Sequence, residues 1–406
     1  MRAAVLIALL LAGLVPAAGA APWSFGDPVM VTDSHGPKVF HHLESAGQRS
    51  IAVAGGTVAV VWEDNRSGSP RAYAAFKAVG GGAFGHEVRL SGDGAAYAPA
   101  VAALGARDFL VAWEGADGIR ARRLRPGADP VLGPVAAVAA GGRTPTVAAG
   151  DGRAFVAWAA RGGGHYPHIA VAAVTPAKGG GLAPGEPAPV EAEPPQAAEL
   201  SPALAITGKG LVAAWEDRRE GHSRIYRAFA PQGRDFGEPV AINEQLPARS
   251  AKYGRGTGVT RVVLTATGGG NVAAAWMDKR YFKSGYDIYA AFSDDGGRTY
   301  GPNQPVFDMF GQDQAQWHPA IAGGGAAPVA IAWDDARDGN DDVWLTWRTG
   351  TRSWSADLAL PGAGGPGYQN HPALAIGPDG DLFAAYTAED EENGPTRLYF
   401  VHGTRR

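Results

Sequence analysis

SPALAITGKGLVAAWEDRREGHSRIYRAFAPQGRDFGEPVAI, residues 201–242, holds four short apolar runs in succession. The first two are joined by Thr207-Gly208-Lys209-Gly210. Glycine supplies the positive φ that so tight a hairpin turn needs. The second run, LVAAW, ends at Trp215, the third is RIYRAF to Phe229, and the fourth is DFGEPVAI. Short alternating runs broken by Gly and Pro describe a meander of four antiparallel strands, not helices.

The Trp-ended strand recurs along the chain. It reads VAVVW at Trp62, FLVAW at Trp113, AFVAW at Trp158, NVAAAW at Trp276, VAIAW at Trp333 and LFAAY at Tyr386. Successive anchors are separated by 45 residues (Trp113 to Trp158) up to 61 (Trp215 to Trp276). That period belongs to propeller blades with loops of variable length. Seven anchors predict an all-β, seven-bladed propeller of four-stranded antiparallel blades, a single domain over residues 21–406. The seventh copy ends without an outer strand. Trp23-Ser24-Phe25-Gly26-Asp27-Pro28-Val29-Met30-Val31 has the form of the missing one, so residues 21–33 are expected to close the ring. Closure removes the unpaired edges that invite aggregation.

Met1-Arg2, an apolar run from Ala3 to Val15 and the small residues Ala18-Gly19-Ala20 read as a signal peptide over residues 1–20. The run is too short to span ~30 Å of hydrocarbon, so an exported chain without a membrane span is expected, periplasmic or extracellular. Cysteine is absent. Disulfides, zinc–thiolate sites and cysteine nucleophiles are thereby excluded, and no cofactor is implied. A net charge of −4 gives no footprint for nucleic acid.

Ser293-Asp294-Asp295-Gly296-Gly297-Arg298-Thr299-Tyr300 matches Ser-x-Asp-x-Gly-x-Thr-aromatic, the Asp-box of the bacterial neuraminidase repeat. On this motif and the repeats, the chain resembles the sialidase-like superfamily of secreted propellers. The resemblance implies a propeller fold and places the box on the face away from any active site. Sialidases have six blades, however, and their Phe-Arg-Ile-Pro segment has no counterpart here. Neither their Tyr-Glu nucleophile pair nor their acid can be placed, so none of their catalytic residues is carried over.

Candidate site residues are sorted by the face onto which the loops between second and third strands open. Trp-x-Asp-x-Arg recurs with Arg66, Arg219, Arg280 and Arg337. An Asp and an Arg two apart can share a charge-assisted bond that braces neighbouring blades, or the guanidinium can take a ligand carboxylate. His318 and His371 share one repeat position, each directly before Pro, at the expected channel rim. They either start a strand or serve as acid–base groups. His165-x-x-His168 alone does not specify a metal site, and no metal is expected. Glu389-Asp390-Glu391-Glu392 reads as a solvated turn. The loops leading into blades one, five, six and seven are long. They carry His41, His42, Lys252, Tyr253, Arg255, Trp317 and Tyr368. Long loops on a compact scaffold tend to hold function.

This pattern is expected to bind a carbohydrate or other polar ligand. The ligand-binding candidates are Arg66, Arg219, Arg280, Arg337, His41, His42, Lys252, Trp317 and Tyr368. Alternatives are a glycoside hydrolase, or a lyase acting on acidic glycans with His318, His371, Tyr253 and Arg255 as catalytic candidates. A protein-interaction scaffold is a further alternative.

Overall fold

The computed structural model describes residues 21–161, 165–244, 258–280, 285–307 and 314–406. They form seven antiparallel sheets of four or five strands. The inner strand of each sheet packs against the next, and that of blade seven returns to blade one. Residues 1–20 lie outside the described residues.

The last blade consists of Tyr368–Ile376, Leu382–Glu389 and Arg397–Arg405. Its outer strand comes from the other end of the chain. Trp23–Phe25 pairs with Gly403–Arg405, and Val29–Thr32 pairs with Leu398–Phe400. Trp23 is 1% exposed, and its Nε1 donates to Gly380 O at 2.8 Å. The expected closure by residues 21–33 is therefore present.

Each anchor strand is buried along nearly its whole length, because both of its faces meet a neighbouring blade. A strand covered on both faces reads as a continuous apolar run, so the Trp-ended segments are unbroken runs and not the alternating ones expected from the sequence. Trp62, Trp215, Trp276 and Trp333 have no exposed surface, and Tyr386 fills the seventh position.

A bulge lies opposite six of these anchors. Ala98-Pro99 oppose Trp113, and Thr144-Pro145 oppose Trp158. Ser201-Pro202 oppose Trp215, and Arg261-Val262 oppose Trp276. His318-Pro319 oppose Trp333, and His371-Pro372 oppose Tyr386. The first residue of each pair is left-handed, with φ between +47° and +55°. Proline suits the second place because a bulged residue has no ladder partner and loses nothing by lacking an N–H. Six non-glycine residues in αL conformation, each costing of order 1 kcal/mol or more, mark this rim as a place where strain is tolerated for a purpose.

Blade one departs from the rule. Its second strand, Thr57–Asp64, pairs with His41–His42 and with Ile51–Ala54. Between them, Leu43–Ser50 oppose only Val61 and Trp62. The two-residue bulge has become an excursion over the channel. Gly47, at φ +67°, lies against blades three and four; a Cβ there would stand 3.1 Å from Thr146 Oγ1.

Candidate functional site at the channel mouth

The repeated bulges turn their first residues toward the channel. Blades two, three and four present Ala98, Thr144 and Ser201. Blades five, six and seven present Arg261, His318 and His371. The excursion of blade one brings Glu44 above them. Glu44, Arg261 and His318, with Ala98, Thr144 and Ser201, line a cavity of about 310 Å³.

Three donors converge on one oxygen, Glu44 Oε1. Arg261 Nη2 and His371 Nε2 each lie 2.9 Å from it, and His318 Nε2 lies 3.3 Å away. The two imidazoles stack with centroids 3.8 Å apart. Asp334 orients both. Its carboxylate lies 2.9 Å from His318 Nδ1 and accepts the His371 backbone N–H at 2.9 Å. The other nitrogen of His371, Nδ1, lies 2.8 Å from Asn370 Oδ1.

Burial alone would lower the His318 pKa, but the adjacent Asp334 charge and hydrogen bonds to Asp334 and Glu44 outweigh it. The group is pushed up to about 9. Glu44 is held well below the usual carboxylate range: burial acts against this, and the two histidines and Arg261 overcome it. A cationic cradle thus encloses a single carboxylate. Glu44, His318 and His371 also lie close enough to share a metal ion. The arginine on the same oxygen fits a hydrogen-bonded anion better, since a guanidinium has no lone pair to offer a cation and repels it.

Four of the seven anchors are followed directly by an acid, and that acid fastens the next blade. Glu63 Oε2 accepts the Ala98 N–H at 3.0 Å, and Glu114 Oε2 accepts the Thr144 N–H at 3.1 Å. Glu216 Oε1 accepts the Arg261 N–H at 2.6 Å, and Asp334 does the same for His371. Each latch fixes a strained rim residue from the preceding blade. Glu44, Arg261 and these latches were missed in the sequence. A lone Glu in a loop carries no pattern, Arg261 reads as the start of a strand, and attention to Asp-x-Arg passes over the residue directly after Trp.

The Asp-x-Arg arginines lie elsewhere. In each, the Asp accepts from the anchor indole (2.8 Å for Trp62 to Asp64) and from the Arg backbone (3.0 Å for Arg66 to Asp64). The guanidinium then stacks on the third-strand aromatic: Arg66 on Tyr73 at 4.3 Å, Arg219 on Tyr226 at 4.4 Å, Arg280 on Tyr289 at 3.8 Å and Arg337 on Trp344 at 4.1 Å. Its remaining donors reach acceptors beside outer strands: Glu87, Glu191, Asn303 and Asp357 respectively. None of the four lines the mouth cavity.

Of the other candidates, His41 is buried against Thr396, with Nδ1 3.0 Å from its carbonyl, and burial pushes it down to about 4. His42 is exposed and paired across from Glu63. Trp317 is 39% exposed, with its edge on Tyr286 at 5.4 Å, next to His318 on the rim. Tyr368 is half-buried opposite Glu389. Lys252, Tyr253 and Arg255 lie outside the described residues. Asp295, in the Asp-box segment, accepts the N–H groups of Arg298 and Thr299, both at 2.9 Å, and the Thr299 hydroxyl at 2.7 Å.

No protein-family model matches the chain, and no curated protein does. Solved structures do. The polysaccharide lyase Uly1 aligns with a TM-score of 0.59 at 11% identity, over 94% of this chain and 99% of that one. A protein of unknown function from Dyadobacter fermentans aligns with a TM-score of 0.57 at 11% identity, over 94% and 99%. The Trypanosoma rangeli sialidase aligns with a TM-score of 0.47 at 10% identity, over 93% of this chain and 57% of that one. At such identities the likeness is one of fold, and the fold is that of a seven-bladed β-propeller.

Proposed function

We propose that the channel mouth binds an acidic polysaccharide, seating a uronate carboxylate on Arg261, His318 and His371 in place of Glu44. One observation carries this reading: three donors meet on a single carboxylate oxygen at the rim. Guanidinium and imidazolium bind carboxylate through charge-assisted hydrogen bonds, and a cleft strengthens them. Exposed Trp317 beside His318 offers a face for a sugar ring. The leader-like residues 1–20 support an exported protein, which would meet such polymers outside the cell. A polysaccharide lyase sharing this fold over almost its whole length is consistent with the same ligand class.

Calorimetry with uronate polymers (polygalacturonate, alginate, hyaluronan) tests the reading. At least one should bind, and Arg261→Ala should abolish it. Failure of all three to bind, or binding indifferent to Arg261, overturns it.

The stacked histidines favour a second reading, elimination at the bound uronate. With Glu44 displaced, a His371 that carries its proton on Nδ1, toward Asn370 Oδ1, would take at Nε2 the proton from the carbon next to the carboxylate. The electron pair freed there becomes a carbon–carbon double bond as the bond to the glycosidic oxygen breaks. Protonated His318 would return a proton to that oxygen, and Arg261 would hold the carboxylate. Unsaturated product, followed by ultraviolet absorbance, should form with the native protein and be lost in His371→Ala. Binding without product leaves the protein a lectin-like propeller.

A further inference from the structure

Blade three, like blades five (Met277) and seven (Thr387), has no latch acid after its anchor. The position is Ala159, where blades one, two, four and six have Glu63, Glu114, Glu216 and Asp334. The acidic side chain that would reach across to Ser201 is missing, and a cavity of about 630 Å³ opens in its place. Its walls include Ala159, Arg143, Arg161, His165, Tyr166 and Ser201. Among the described residues, no Asp or Glu lines it. Tyr166 is 46% exposed and Arg161 is exposed as well. The Arg143 side chain is 66% exposed, and its nearest ion-pair contact is Glu114 at 3.9 Å. Thr144 and Ser201 belong both to this cleft and to the mouth cavity, so the two adjoin.

We propose that this cleft is a second subsite, which takes a further acidic sugar unit of the polymer whose first carboxylate sits at the mouth. The inference rests on the reading of the mouth given above. Exposed arginines, Arg161 above all and Arg143 with only a 3.9 Å contact to Glu114, attract a carboxylate or sulfate group, and an exposed tyrosine supplies a stacking face for the ring. Two shared, strained rim residues put the two subsites side by side on the top face. The deleted latch acid does double duty here: it makes room, and it removes a charge that would repel the ligand.

The test is a length series of the uronate oligomers that bind the mouth, from dimer to octamer, titrated into the intact protein. Affinity should rise by about tenfold or more once the oligomer reaches the second subsite. Arg161→Ala combined with Tyr166→Ala should flatten that rise while leaving the dimer unchanged. Ala159→Glu, which restores the latch acid, should flatten it too. The surface pair keeps the test decisive if the Glu variant fails to fold. A length dependence that is absent in the native protein, or that survives in the surface variants, overturns the subsite and leaves the mouth reading standing. Oligomers of every length failing to bind overturns both.

Discussion

At the scale of single residues, the mouth is a balance between one carboxylate and its three donors. Glu44 occupies the position an acidic ligand would take, so the two compete. Glu44→Ala should tighten uronate oligomer binding by about tenfold, near 1.4 kcal/mol. Calorimetry on oligomers short enough to stay at the mouth checks this, and weaker binding would show that Glu44 contacts the ligand instead. His318 sets the pH range. Its folded pKa, pushed up to about 9, lies above the ordinary 6.5. The stability it contributes is therefore complete below about pH 6.5 and lost as pH rises through 9. Ligand affinity should follow the same course, holding from pH 7 to 8 and falling through 9. In His318→Gln that fall should vanish. An unchanged profile would assign it to another group.

At the scale of strands, what could be read in advance divides along physical lines. The blades were legible because every one needs a wide apolar residue at the same depth, and Trp at a regular interval announces that need. His318 and His371 were legible through their shared place before Pro. The bulge was not, because it depends on pairing two residues against one, which no local pattern records. The braces illustrate the ambiguity of a motif: Asp-x-Arg fits a ligand site as well as an interblade tie until its neighbours are known. In blade four that tie is overloaded with acid. Glu191, Glu199 and Asp217 surround Arg219, and Glu199 Oε1 is buried without a hydrogen bond. Burial, reinforced by the charges of Glu191 and Asp217, pushes Glu199 up to about 8. A raised carboxyl favours the protonated fold, so stability should be lost as pH climbs from about 4.5 through 8. Glu199→Gln, which keeps an acceptor for the Ile169 N–H, should remove that loss. Melting temperatures compared at pH 4 and 9 would show the gap between native and variant opening only at the higher pH. An equal gap at both would mean that Glu199 does not titrate in this range.

At the scale of the whole ring, two contacts hold distant parts of the chain together, and they act differently. Arg49, at the end of the blade-one excursion, reaches across the channel and donates to Leu204 O at 2.9 Å and Leu264 O at 2.7 Å. It ties blade one to blades four and five beneath the mouth, and burial pushes its pKa down to about 10. Trp23 joins the first described strand to the last, filling a core of blades six and seven with Trp347, Leu382 and Val401. Truncating a buried tryptophan costs about 3–5 kcal/mol. In Trp23→Ala that loss falls on the one blade assembled from both ends of the chain. The Arg397–Arg405 strand would then lose its cover and present an open edge, which pairs readily with another chain. Trp23→Ala should therefore lower the denaturant midpoint and also produce concentration-dependent association. Arg49→Met should lower the midpoint alone, since it opens no edge. Light scattering at several protein concentrations separates the two. Association by the Arg49 variant, or a Trp23 variant that stays monomeric at every concentration, would show that the ring is held shut by something other than its N-terminal strand.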